Sequence, residues 1–128
     1  MPIIRHRDQA LIQQSYRRIV TQAEGATACT VWDQTLPPAG FIPLHAHTTE
    51  ETLTILTGQL IVTLADQTTV VEADSTILIE AGVFHSLANM TNVAARMLAF
   101  LPTAAPMIIP PATGKVSNRK PPRTRTRP

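Results

Sequence analysis

Between about Val20 and Leu101 the chain is a succession of short β-prone runs cut by turn residues, and this pattern limits the fold more than any other feature. TACTVWDQTL ends at Pro37 and Pro38, TLTILTG stops at Gly58, and QLIVTLAD turns at Asp66–Gln67. TTVVEAD, STILIEAG, VFHSLANMTN and ARMLAFLP follow. Many short runs with turns between them and almost no helical period predict an all-β sandwich or barrel. One helix candidate lies around Gln9–Arg18, and the same residues read equally well as an extended arm. No internal repeat is present. At 128 residues the chain is long enough for one domain with a real core.

Charge is divided unevenly. Residues 1–114 carry five Lys or Arg against nine Asp or Glu, whereas six Lys or Arg and no acid follow from Lys115. Seven of the eleven prolines fall at or after Pro102, so no regular helix or central strand is expected there. Apolar Met107, Ile108 and Ile109 can still lie along the body. The tail KVSNRKPPRTRTRP has no aromatic for base stacking and belongs to no nucleic-acid module, which makes a solubilising end the better reading than a nucleic-acid contact. No apolar run approaches the roughly 20 residues needed to span a bilayer. The leading MPIIRHRDQ has charges where a secretory signal needs an apolar centre, so the cytoplasm is the expected compartment. The single Cys29 excludes an internal disulfide and is expected to be a small buried residue.

The chemistry concentrates in Gly40-Phe-Ile-Pro-Leu-His45-Ala-His47-Thr-Thr-Glu50-Glu51. Side chains alternate along a strand, so His45 and His47 point the same way. Two imidazoles on one face are a good start on a metal site, and a carboxylate one turn later extends it. Parity with His47 favours Glu51 over Glu50, which then faces solvent or accepts from a histidine N–H. Gly82-Val-Phe-His85-Ser-Leu-Ala-Asn89 can bring a third imidazole from a neighbouring strand. Three neutral nitrogens and one anionic oxygen suit divalent Fe, Mn, Zn, Ni, Co or Cu. His6 has no such pattern around it.

These two stretches resemble the motifs of the cupin superfamily, in particular its small single-domain bacterial members. The first matches HxHxxxE with Gly58 after six further residues, and the second matches GxxHxxxN from Gly82 to Asn89. The fifteen residues Gln59–Ala73 between them fit the short spacing of compact cupins. The first glycine lies one residue nearer the histidines than usual, and Asp74 and Glu80 stand where the family prefers Gly and Pro. The resemblance implies a jelly-roll β-barrel, expected over 21–112, and the composition adds an N-terminal arm or strand over 1–20 and a basic, disordered or extended tail over 113–128. It implies metal ligation by His45, His47, Glu51 and His85, and a homodimer paired through its sheets. Cupins of this RmlC-like architecture carry out dioxygenation, decarboxylation, isomerisation, lyase and cyclase reactions. A metal-dependent enzyme on a small, partly apolar organic substrate is therefore expected, with dioxygenase-type chemistry first and Glu51 as a possible base. The alternative is a non-catalytic module that binds or senses a small ligand.

Elsewhere, Trp32, Phe41, Phe84, Met97 and Phe100 are expected in the core, some lining the cavity. Asn89 is expected to tie a turn through its amide. Glu80 suits a solvated turn, or an acid at the barrel mouth. Arg96 is either an edge charge or an anchor for a substrate anion.

Overall fold

Period-two alternation is strongest in β4 (Glu51–Thr57) and β9 (Ala95–Leu101). Glu51, Leu53 and Ile55 are buried in β4, and Ala95, Met97, Ala99 and Leu101 in β9, with half-buried or exposed residues between them. The computed structural model describes residues 2–9, 11 and 16–112. The tail expected at 113–128 lies outside the described residues.

Among the described residues there are ten strands and no α-helix. Besides β4 and β9 these are β1 (Tyr16–Val20), β2 (Thr30–Leu36), β3 (Phe41–His47), β5 (Gln59–Leu64), β6 (Gln67–Glu72), β7 (Ser75–Ile79), β8 (His85–Ala88) and β10 (Ile108–Ile109). They form two antiparallel five-stranded sheets, ordered β1-β2-β9-β4-β7 and β10-β3-β8-β5-β6. This is the all-β jelly-roll barrel that the resemblance implies. No helix forms over the described part of Gln9–Arg18; Tyr16–Arg18 pair with Trp32–Gln34 instead. β-branched Ile19 and Val20 favour the sheet, and the Gln9 carboxamide donates to the carbonyls of Arg18 and Ile19 at 2.9 and 3.1 Å.

The core between the sheets is built from Leu53 and Ile55 of β4, Leu60 and Val62 of β5, Leu87 of β8 and Met97 of β9. Two expected core aromatics lie outside the core: Phe41 is 45% and Phe100 42% exposed. Phe100 falls between buried Ala99 and Leu101, so strand parity sends its ring to the other face. Cys29 is half-buried in the loop entering β2 rather than within a strand.

Two turns fix the barrel's corners. Asn89 is fully buried. Its amide donates to the carbonyls of Leu36 and Val93 at 2.9 and 2.8 Å, and its oxygen accepts from the Thr91 N–H and hydroxyl. It thereby ties the end of β2 to the β8–β9 turn. Gly58, between β4 and β5, has φ +83°, and a Cβ there would stand 2.7 Å from the Cα of Ala95. Asp74 adopts φ 66°, which explains why glycine suits that position; aspartate is among the few other residues that tolerate it. Gly58→Ala combines the left-handed strain with overpacking against backbone, and is expected to destabilise the chain by about 3 kcal/mol in urea unfolding; a loss below about 1 kcal/mol would contradict this corner geometry.

Candidate metal centre

Pro43 sits inside β3 without an N–H to give to the ladder, and the β3–β8 register is broken between Ile42 and His45. The Pro43 carbonyl is then free to accept from His45 Nδ1 at 2.8 Å. His85 repeats the device at the start of β8, its Nδ1 donating to the Val83 carbonyl at 3.0 Å. His47 reaches further: its Nδ1 donates at 2.8 Å to the carbonyl of Met107, just before β10, which pairs with β3. A carbonyl only accepts, so each Nδ1 carries the hydrogen and each neutral ring keeps a lone pair on Nε2.

The fold brings these rings together. His45 and His85 are direct partners across β3 and β8, with ring centroids 4.3 Å apart, and His45 and His47 lie 4.9 Å apart. Glu51 arrives from the opposite sheet, on the inward face of β4 with Leu53 and Ile55. One ligand atom from each of His45, His47, Glu51 and His85 lies within 4.8 Å of the others. Glu51 Oε1 stands 3.2 Å from His85 Nε2 and 3.5 Å from His47 Nε2. The edge of a tetrahedron with bonds of about 2.1 Å is about 3.4 Å, so these separations fit a first-row ion.

The electrostatics suit a cation. Glu51 and His85 are only 4% and 1% exposed, and the buried Glu51 Oε1 accepts no hydrogen bond. With every Nδ1 hydrogen committed to a carbonyl, three lone pairs and a carboxylate meet with no donor among them. A metal ion, or a proton on one Nε2, relieves this. Burial pushes the His45 pKa below its ordinary 6.5, against the Pro43 carbonyl, which raises it; the neighbouring rings of His85 and His47 lower it further. Neutral imidazole, the form that ligates, is favoured. A chamber of about 30 Å³ between the ligands is about the size for one ion or one water. The four residues can therefore hold a metal.

The chamber adjoins a cavity of about 430 Å³ that reaches His45 and His47 and is walled by Tyr16, Trp32, Leu36, Phe41 and Ile42. The Trp32 ring lies 5.9 Å from Tyr16 and 6.4 Å from His47. Tyr16 and Gln34 were not apparent as wall residues in the sequence; the parity of Gln34 with Trp32 and Leu36 was the available signal. Glu50 is exposed, and none of the three rings donates to it. Glu80 is exposed in a turn and lines neither space. His6 lies in a short 3₁₀ turn away from the cluster. Arg96 faces the outside of its sheet, where it binds Asp33 through two hydrogen bonds of 3.0 and 3.1 Å, so it anchors no ligand in the cavity.

Glu51→Gln would replace one acceptor by a donor facing His85. The metal-free protein is expected to gain about 1 kcal/mol of stability, while stabilisation by added divalent metal is largely lost. Thermal unfolding with and without metal checks both signs; a metal-free variant less stable than wild type would refute the unrelieved-acceptor account.

A family model described as a cupin domain matches residues 32–101. No curated protein matches the chain. Among solved structures, the polyketide cyclase RemF from Streptomyces resistomycificus superposes with a TM-score of 0.79 at 19% identity, covering 94% of each chain. A predicted oxalate decarboxylase from Thermotoga maritima gives 0.69 at 20% identity, covering 80% of this chain and 99% of its own. An oxalate oxidase gives 0.59 at 23% identity, covering 63% of this chain and 45% of its own. At these identities the likeness is one of fold.

Proposed function

This chain belongs to the cupin domain family, and on that premise we propose that it is a metal-dependent enzyme acting on a small organic molecule, with His45, His47, Glu51 and His85 as ligands. The observation that carries this reading is the convergence of four acceptors without a donor, three of them buried and His45 half-buried, beside a largely apolar cavity. A bound divalent ion supplies Lewis acidity toward a substrate oxygen. The three carbonyls at Pro43, Val83 and Met107 fix the imidazole tautomers and ring directions. The apolar part of the wall lowers the local dielectric and strengthens electrostatic interactions beside the ligands. Glu51 is the only carboxylate lining the chamber among the described residues, so it is the acceptor for a proton released by the substrate.

Oxygen-dependent cleavage is the first reaction class to assay, followed by cyclase, lyase and isomerase reactions; oxygen uptake separates the first from the rest. The proposal includes a homodimer. Leu78, Thr52, Phe100 and Val31 form one row across the outer face of the first sheet, and Leu78 and Phe100 are 55% and 42% exposed. A second copy would cover that row and the β7 edge. Sedimentation should find a dimer that Phe100→Glu converts to monomer; a monomeric wild type would refute this pairing.

Elemental analysis of the untagged chain beside a His45→Ala/His47→Ala variant tests the centre. About one equivalent of a first-row divalent metal is expected, absent from the variant. A wild-type chain that takes up none of Fe, Mn, Co, Ni, Cu or Zn on reconstitution would overturn the enzyme reading and favour a non-catalytic ligand-binding module.

A further inference from the structure

Trp32, Gln34 and Leu36 of β2 pair with Ala99, Met97 and Ala95 of β9, all fully buried, and so share the inner face of the sheet. Gln34 is the polar member of that row. It borders both the ion-sized chamber and the larger cavity. Its carboxamide is half-buried and makes no side-chain hydrogen bond among the described residues, although it offers two donors and an acceptor. Its polar atoms are open to the cavity, so a ligand there can meet them directly.

The remaining lining defines what that ligand can be. Among the described residues, no Lys or Arg borders the metal-side cavity. Arg18 borders only the adjoining outer cavity, where its guanidinium stands 5.9 Å from the Tyr16 ring centroid. A divalent ion together with the Glu51 carboxylate carries one net positive charge. One negative charge on a ligand completes the balance; a second would stand in the larger cavity, where no Lys or Arg among the described residues offers a counter-charge. The cavity, at about 430 Å³, is within the range of sites for drug-sized molecules, and its Tyr16, Trp32 and Phe41 rings offer faces and edges to a conjugated system.

Resting on the metal-dependent reading above, we infer that Gln34 is a specificity-determining residue whose carboxamide hydrogen-bonds the substrate oxygen facing the metal centre, and that the site selects flat, conjugated molecules bearing a carbonyl or enol with at most one negative charge. Small dicarboxylates are excluded. The carboxamide N–H meets a carbonyl or enolate oxygen, and its C=O accepts from an enol hydroxyl, so one side chain serves both forms. A dicarboxylate has no use for the acceptor and no cation for its second charge.

Equilibrium dialysis on the metal-loaded full chain tests this with 1-hydroxy-2-acetonaphthone, naphthalene and oxalate as probes. The naphthone is expected to bind at least about 100-fold more tightly than oxalate. Gln34→Leu should weaken the naphthone about tenfold, leaving naphthalene affinity and metal content unchanged. A merely structural role for Gln34 would move naphthalene or the metal content as well. Oxalate binding as tightly as the naphthone, an unchanged naphthone affinity in Gln34→Leu, or an equal loss for naphthalene would each overturn the inference. Failure of the metal reading is visible separately, as absence of metal from the wild-type samples before any probe is added.

Discussion

Everything at this site depends on three hydrogen bonds from imidazole to backbone. Left free, an imidazole can present either nitrogen in several orientations. Bound through Nδ1 to Pro43, Met107 and Val83, the three rings have one tautomer and one direction each. The carbonyls that do this must be spare, and each is spare for a local reason. Pro43 interrupts the β3 ladder, Val83 lies just before β8, and Met107 precedes the two-residue strand β10. The irregular parts of the barrel are thus the parts that aim its three clustered histidines, and they leave Glu51 Oε1 among lone pairs. That arrangement is poor for a metal-free protein and good for a metal-bound one, a local cost typical of functional centres.

The regular parts supply the rest. Inward alternation on β4 places Glu51 in the same row as Leu53 and Ile55, so the carboxylate is held at the dry end of the core. Gly58 allows β4 and β5 to turn against Ala95, and Asn89 saturates its amide across two turns. These contacts lie away from the ligands but fix the separation of the two sheets, one bearing Glu51 and the other the histidines. A shift of an ångström between sheets would open the 3.2 Å approach of Glu51 to His85.

Much of this was legible in the sequence wherever it follows from periodicity. The seven β-prone runs that form β2 and β4 to β9, the common face of His45 and His47 and the choice of Glu51 over Glu50 all rest on period two. What was not legible depends on pairing between distant segments. Nothing in residues 40–51 says that His47 will bond to Met107, sixty positions later. Arg96 looked free because its partner Asp33 is on a strand adjacent only in space. Phe100 was assigned to the core on hydrophobicity, but parity outweighed it and sent it outward, while Phe41 came to the open wall of the cavity rather than the core. Asp74 departed from the family's glycine, yet its backbone keeps the left-handed turn that glycine serves.

β2 serves the core on one side and the cavity wall along its length. Its inner face carries Trp32 and Gln34 along the cavity; its outer face carries Asp33, nearly buried beneath Arg96 and Arg17. The two-toothed Arg96–Asp33 contact resists rotation in a way a single bond does not, and Asp33's carboxyl holds the Arg96 guanidinium above its ordinary pKa. Because Arg96 is partly exposed, the pair adds only modestly to global stability. Its larger effect is geometric. It clamps β2 to β9 at the level where Gln34 faces Met97, so the cavity wall is held by an ion pair on one face and by core packing on the other. The Arg96 guanidinium is held outside the barrel by Asp33, on the opposite face of β2 from the neutral Gln34 carboxamide that borders the cavity.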